Sequence, residues 1–230
     1  MRHLVLFDID GTILHSSGAG RDAMEAALMQ TFGTPGDPSI RYDGKTDKQI
    51  VREAMQHAGF DDDVINARMT EVISLYVHGL PERLRDPRRK VGMFPGVAEL
   101  IAIMDTHDDC VLGLLTGNVE QGARIKLASV GLDFDRFRVN AFGSDSELRG
   151  ELPAVAHRRM SEAFGITLAG SDIVVIGDTP ADIACGRDLG ARAIAVATGS
   201  FSVSALMDHE PYAVFADLSD THAVMRSIVG

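Results

Sequence analysis

The stretch LVLFDIDGT (residues 4–12) decides the fold, because an apolar run passes directly into a loop with two carboxylates and a hydroxyl. Its first four residues are apolar and predict a buried β-strand. Side chains two apart on an extended chain point to the same side, so Asp8 and Asp10 can reach one reacting group. Gly11 permits a sharp turn there. The alternative interpretation is an Asp-rich turn that only ends a strand.

A second apolar run, VLGLLTGN (residues 111–118), ends in a hydroxyl, a glycine and an amide. The apolar part predicts another strand, and Asn118 is a candidate N-cap for a following helix. Backbone amides beside the positive end of a helix hold phosphate oxygens. Thr116, Gly117 and Asn118 are therefore candidates for phosphate binding, although an ordinary strand-to-helix turn explains the same residues.

A third run, IVVIGDTPAD (residues 173–182), places Asp178 on a loop and Asp182 in the first turn of a helix that Pro180 begins. Stabilisation of the helix dipole is the alternative role for Asp182. If the strands are neighbours, both residues crowd one crevice with Asp8 and Asp10. Like charges so close either protonate or bind a divalent cation, and oxygen ligands favour Mg²⁺.

These three segments, in this order, resemble the haloacid dehalogenase (HAD) superfamily, most nearly its phosphatases with a helical cap and the phosphoglycolate-phosphatase-like branch. The resemblance covers nearly the whole chain. It implies that Asp8 attacks phosphorus to give an aspartyl-phosphate and that Asp10 is the general acid and base. It also implies Mg²⁺ bound by Asp8, the main-chain carbonyl of Asp10 and Asp178, with Asp182 as a ligand or an orienting neighbour.

One motif departs from the family pattern, which has a basic residue, usually Lys, between the second and last motifs. No Lys follows Lys126 in this chain. Arg149, in LRGELP (residues 148–153), has the best position, and a guanidinium stays charged and binds phosphate through two donors. Arg158, Arg159 and Lys126 are the alternatives.

The chain is organised as one α/β core with an inserted helical domain. Residues 15–92 have helical periodicity, with apolar faces such as Met24 with Leu28 and Val64 with Val72. They match the cap of the resembled family, which leaves residues 1–14 and 93–230 as the core. Strands alternating with helices predict a doubly wound, mostly parallel, Rossmann-like sheet, which binds ligands at the carboxyl ends of its strands.

The segment YDGKTD (residues 42–47) resembles the cap loop that meets the leaving group in phosphoglycolate-phosphatase-like enzymes. Lys45 is therefore a candidate to pair with a carboxylate or a second phosphate on the substrate. A solvated lysine beside a helix N-cap is the alternative.

The composition of the 230-residue chain disfavours some classes of binding partner. A net charge of −11 disfavours non-specific binding to nucleic acid or anionic membranes. No apolar stretch approaches the roughly 18 residues of a membrane span, and the first strand leaves no room for a signal peptide. We expect a cytoplasmic protein, monomeric or homodimeric, that binds a small phosphorylated metabolite.

The expected function is magnesium-dependent hydrolysis of a small phosphomonoester, with phosphoglycolate as the leading candidate. A dehalogenase of the same superfamily needs the nucleophile but not Asp10, Asp178 or Asp182. A phosphomutase such as β-phosphoglucomutase shares every core motif and stays an alternative. A phospho-accepting signalling switch also uses aspartyl-phosphate, but such domains are smaller and lack a large cap.

Overall fold

Residues 3–230 are described by the computed structural model, so residues 1 and 2 of the predicted core lie outside the described part. Six parallel strands of that part form the main sheet, and two short strands pair antiparallel beside it. In chain order the strands are β1 (His3–Phe7), β2 (Leu14–His15), β3 (Gly92–Met93), β4 (Cys110–Thr116), β5 (Val139–Phe142), β6 (Ile173–Gly177), β7 (Arg192–Val196) and β8 (Ala213–Phe215).

The spatial order of the main sheet is β5-β4-β1-β6-β7-β8. β1 pairs with β4 on one side and with β6 on the other. All five residues of β1 are buried, as expected for a central strand of a parallel sheet covered on both faces. The carboxyl ends of the three motif-bearing strands are therefore neighbours.

Helices cover both faces of the sheet. The helices are α1 (Ala19–Phe32), α2 (Asp47–His57), α3 (Asp62–Leu84), α4 (Val97–Asp105), α5 (Glu120–Ser129), α6 (Leu152–Phe164), α7 (Pro180–Cys185), α8 (Val203–Met207) and α9 (Thr221–Val229). Val5 and Phe7 of β1 join the apolar cluster of α4, α5 and α9, whereas Leu4 and Leu6 join that of α6. This arrangement confirms the predicted doubly wound α/β fold.

Three helices between β2 and β3, namely α1, α2 and α3, share an apolar cluster of their own. The Thr46 and Asp61 side chains cap α2 and α3 by accepting from backbone N–H groups. Val64, which the periodicity places on an apolar helix face, lies in the first turn of α3 and is 40% exposed. The cap boundaries at residues 15 and 92 stay a prediction.

No helix of the described part is long and apolar enough to cross a membrane.

Gly113 permits a close approach in the middle of the sheet. It lies on β4 between Leu6 of β1 and Val139 of β5. A Cβ at this position would overlap the Val139 carbonyl, which is backbone and cannot move aside independently. A side chain at residue 113 would therefore force two strands apart.

We expect Gly113→Ala to lower the free energy of unfolding by about 1–3 kcal/mol, the usual cost of overpacking a core. Urea unfolding at fixed pH measures the difference. Gly150→Ala is the matched control, since a Cβ at Gly150 meets open space. Equal unfolding free energies for the two variants would contradict the close approach.

Candidate active site

The loops after β1, β4 and β6 meet in one cavity of about 430 Å³. Asp8, Thr116 and Asp178 line it from the core, and Tyr42 and Lys45 line it from the loop between α1 and α2. The sequence-predicted residues of all three motifs are therefore brought together at the carboxyl ends of the central strands, where doubly wound sheets bind ligands.

Three buried carboxylates form a cluster, and two of them, Asp8 and Asp178, line this cavity. Asp8, Asp178 and Asp182 each offer an oxygen, and these oxygens all lie within 4.8 Å of one another. Burial raises the pKa of Asp8 to about 6, although the Arg149 charge acts against the rise. Burial, with the charges of Asp182 and Asp8, raises the pKa of Asp178 to about 9. Without a cation, the cluster therefore tends to bind protons.

The surroundings of Asp178 fit a metal ion. Its Oδ1 accepts a hydrogen bond from the Thr12 hydroxyl at 3.1 Å. Gly11, with φ of 82°, and Gly199 both pass so close that a Cβ on either would overlap this carboxylate. An all-oxygen donor set with crowded negative charge suits a hard divalent cation.

Asp182 is engaged on both of its oxygens. Oδ2 accepts from the backbone N–H and the hydroxyl of Thr179, at 2.9 and 2.6 Å. The first of these bonds and the Asp182 N–H, which donates to Thr179 Oγ1 at 3.3 Å, form a capping box at the start of α7. Oδ1 accepts from the Arg149 guanidinium. Of the two roles predicted for Asp182, this geometry favours orienting a neighbour over ligating a metal.

Arg149 reaches the centre of the site from a 3₁₀ turn that precedes α6. Its Nη2 lies 3.3 Å from Asp8 Oδ1 and also contacts Asp182. The side chain is buried, and its Nε has no hydrogen-bond partner among residues 3–230. Burial would lower the pKa of Arg149, but Asp182 and Asp8 hold it above its usual value.

The two rival arginines contact other groups. Arg158 is exposed and lies 3.7 Å from Glu162 on the same helix. Arg159 donates to Asp145 and to the Asn140 carbonyl, each at 2.7 Å. Among the three candidate arginines, only Arg149 contacts the acid cluster in the described part of the chain.

Lys126, which the sequence offers only as an alternative to Arg149, also lies in the site. Its Nζ lies 2.5 Å from Asp10 Oδ2 and 2.6 Å from Asn118 Oδ1. Burial would lower the pKa of Lys126, but Asp10 above all raises it. The sequence signal that could identify Lys126 as a site residue is its position on α5. It lies three residues after Ala123 and next to Leu127, on the buried face of the helix.

The segment after β4 differs from the prediction in one respect. Asn118 is not the N-cap of α5; that residue is Val119. The Asn118 Nδ2 instead donates to Thr116 Oγ1 and to Asp10 Oδ2, each at 2.8 Å. The Val119 N–H is satisfied by the Asp47 carboxylate of α2, at 2.8 Å.

The 42–47 segment is docked on the core. The Asp47 N–H donates to the Gly117 carbonyl at 2.8 Å, and the Thr46 hydroxyl donates to the Glu147 carbonyl at 2.8 Å. Burial raises the pKa of Asp47 to about 6, against the effect of Lys126. Lys45 lines the cavity, and its ammonium group pairs with Glu53.

An acid cluster beside a buried arginine, at the central strand ends of a doubly wound sheet, is the candidate site of this α/β protein. Residues 5–187 match the family model of the haloacid dehalogenase-like hydrolases. The chain belongs to this family.

Named relatives agree in length with this chain. It is 24% identical over 227 residues to the phosphoglycolate phosphatase of Rhodospirillum rubrum, covering 95% of this chain and 89% of that protein. A hydrolase from Pseudomonas syringae has a TM-score of 0.72 at 18% identity, with 99% of each chain covered. CbbY from Rhodobacter sphaeroides, solved in complex with phosphate, has a TM-score of 0.68 at 16% identity, with 96% of each chain covered.

We expect Mg²⁺ to raise the melting temperature, and to raise it more at about pH 8 than at about pH 5.5. The folded-state pKa values of Asp8 and Asp178 are raised to about 6 and about 9. The contribution of these two groups to the stability of the metal-free protein therefore falls as pH rises from about 4 through these values, because the folded protein binds protons that the unfolded chain releases. Mg²⁺ replaces those protons, which gains about 2.7 kcal/mol at 100 times its Kd.

Thermal melts of Asp178→Asn test the assignment. This variant should be more stable than the wild type without metal at about pH 8, because its amide is neutral without having to bind a proton. Mg²⁺ should shift it little, because the variant lacks a carboxylate ligand. Asp188→Asn, at an exposed position, should keep the wild-type response. An undiminished Mg²⁺ shift in Asp178→Asn would locate the binding elsewhere.

Proposed function

We propose that this protein is a magnesium-dependent phosphatase that hydrolyses a small phosphomonoester through an aspartyl-phosphate on Asp8. The observation that carries the proposal is the position of the Asp8 carboxylate. It is buried in the cavity, 3.3 Å from the Arg149 guanidinium, and two residues before Asp10. Membership of the hydrolase family supports the same chemistry.

In the first half-reaction, a carboxylate oxygen of Asp8 attacks phosphorus and forms a new P–O bond. The bond from phosphorus to the leaving oxygen breaks, and its electron pair stays on that oxygen, which takes a proton from Asp10. In the second half-reaction, Asp10 removes a proton from water as the water attacks phosphorus. Phosphate leaves, and Asp8 and protonated Asp10 are regenerated.

Two segments of the cavity lining offer donors to the phosphoryl oxygens. Thr116, Gly117 and Asn118 line the cavity after β4, and Arg149 lines it from the turn before α6. The buried and unpartnered Nε of Arg149 supports this assignment, because an incoming oxygen would satisfy it. Positioning and charge stabilisation by these groups supply most of the acceleration in phosphoryl transfer.

Mg²⁺ would be held by the Asp8 carboxylate, the main-chain carbonyl of Asp10 and Asp178. When bound, it would neutralise negative charge on the phosphoryl group. The contacts of Asp182 suit it to hold Arg149 against Asp8. This division gives each acid of the cluster a separate task.

The substrate class we propose is a small phosphorylated metabolite, with phosphoglycolate first. The Rhodospirillum rubrum relative of that name matches nearly end to end. Lys45, on the cavity wall, is the group we assign to a carboxylate or second phosphate of the substrate, in exchange for Glu53. A cytoplasmic location and a monomeric or homodimeric state remain predictions from the sequence.

Phosphate release from phosphoglycolate, sugar phosphates and nucleotides tests the reaction directly. We expect turnover to require Mg²⁺ and to fall at least about 1,000-fold in Asp8→Asn, because the variant lacks the nucleophile. Wild-type rates in Asp8→Asn would reject the mechanism. Transfer of the phosphoryl group to a sugar phosphate, without release to water, would assign the protein as a phosphomutase instead.

Arg149→Met tests the basic residue. We expect kcat/KM to fall about 100-fold or more, because a buried charge beside the phosphoryl group is lost. Arg158→Met, which alters an exposed arginine of α6, should leave kcat/KM unchanged. Equal effects in the two variants would contradict the assigned role of Arg149.

A further inference from the structure

The proposed mechanism leaves one buried cation of the cavity without a task. Lys126 is only 4% exposed, yet its ammonium group lies on the cavity wall. It donates to Asp10 at 2.5 Å and to Asn118 at 2.6 Å. A buried ammonium is costly to keep unless its partners need it, so these contacts call for a functional explanation.

The Asp10 carboxylate is a partly exposed group held by hydrogen bonds from Lys126 and Asn118. The Asp10 side chain is 42% exposed, so packing alone does not fix it as burial fixes Asp8. Lys126 Nζ and Asn118 Nδ2 both donate to Oδ2, at 2.5 and 2.8 Å. The other oxygen, Oδ1, accepts no hydrogen bond from residues 3–230, which leaves it available to exchange a proton in the cavity.

The Lys126 ammonium group is surrounded by residues of both the core and the inserted helices. Its own helix, α5, belongs to the core, but Asp47 of α2 and Tyr76 of α3 are close enough to raise its pKa. A Cβ on Gly20 of α1 would lie 3.4 Å from Nζ. All three inserted helices therefore enclose this cation where they meet the core.

We propose that Lys126 is a positioning residue that holds the Asp10 carboxylate in the orientation for proton transfer to the leaving oxygen. The inference rests on the proposed phosphatase function. Arg149 acts on the phosphoryl group and Asp8, whereas Lys126 acts through Asp10. The two buried cations thus serve opposite ends of the bond that breaks.

This role has a signature that a structural role lacks. When the P–O bond breaks, its electron pair stays on the leaving oxygen. An alkyl oxygen needs the Asp10 proton at that moment, whereas a nitrophenyl oxygen is stable as the anion and needs little help. kcat/KM reports the steps up to this transfer, so loss of Lys126 should penalise alkyl phosphates far more than para-nitrophenyl phosphate.

The experiment compares Lys126→Met with the wild type on para-nitrophenyl phosphate and on the best alkyl phosphate, both with Mg²⁺. We expect kcat/KM to fall about 30- to 100-fold for the alkyl substrate and less than about 3-fold for the aryl one, with KM nearly unchanged. Lys126→Arg should recover part of the alkyl rate. Arg124→Met, on the exposed face of α5 where Arg124 pairs with Glu120, should match the wild type.

Equal losses on the two substrates, or no loss on either, would overturn the inference. Circular dichroism verifies that Lys126→Met is folded. If it is not, Lys126→Gln is compared with the wild type on the same two substrates. A wild-type ratio of alkyl to aryl kcat/KM in that variant would overturn the inference as well. A wild-type protein that releases no phosphate from any substrate overturns the proposed function itself, and the role of Lys126 with it.

Discussion

Three carboxylates that share one crevice set the main constraint on this structure. Asp8, Asp178 and Asp182 are buried at the carboxyl ends of the central strands, where water screens little of their repulsion. The Arg149 guanidinium compensates Asp8 and Asp182 at once, and Thr12 donates to Asp178. The raised pKa values of Asp8 and Asp178 mean that this compensation is incomplete. The strand order, the close glycines and the 3₁₀ turn at Arg149 all bring these charges together.

A second set of charges joins the inserted helices to the core. Asp47 satisfies the Val119 N–H at the start of α5, and Lys126, later on the same helix, donates to Asp10. Asp10 follows β1 of the core, whereas Asp47 begins α2 of the inserted helices. The charges of the site therefore come from both the core and the inserted helices. Docking of the helices therefore does more than cover the cavity, since it encloses the cation that Asp10 contacts.

The sequence predicts the features that local pattern encodes. Continuous apolar runs identify the strands, and the acids directly after β1 and β6 follow from them, because parallel strands end at one edge. The environment of Lys126 and the pairing of Lys45 with Glu53 were not predicted, since they depend on how side chains settle when the inserted helices dock. Asn118 was assigned as a helix cap because its type favours that position, but its amide instead contacts Asp10 and Thr116. Tertiary contacts outweighed local preference there.

Charge balance in the cavity explains why an acidic protein of this kind would need a metal. Five cationic side chains line the cavity, and each already contacts a carboxylate in the described part of the chain: Arg21, Arg41, Lys45, Lys126 and Arg149. A phosphomonoester brings about two further negative charges. Backbone amides and the spare Nε of Arg149 can bind its oxygens, but they add no new positive charge. A divalent cation held by Asp8 and Asp178 would supply that charge where the acids are most crowded, because every other cation that lines the cavity is already paired.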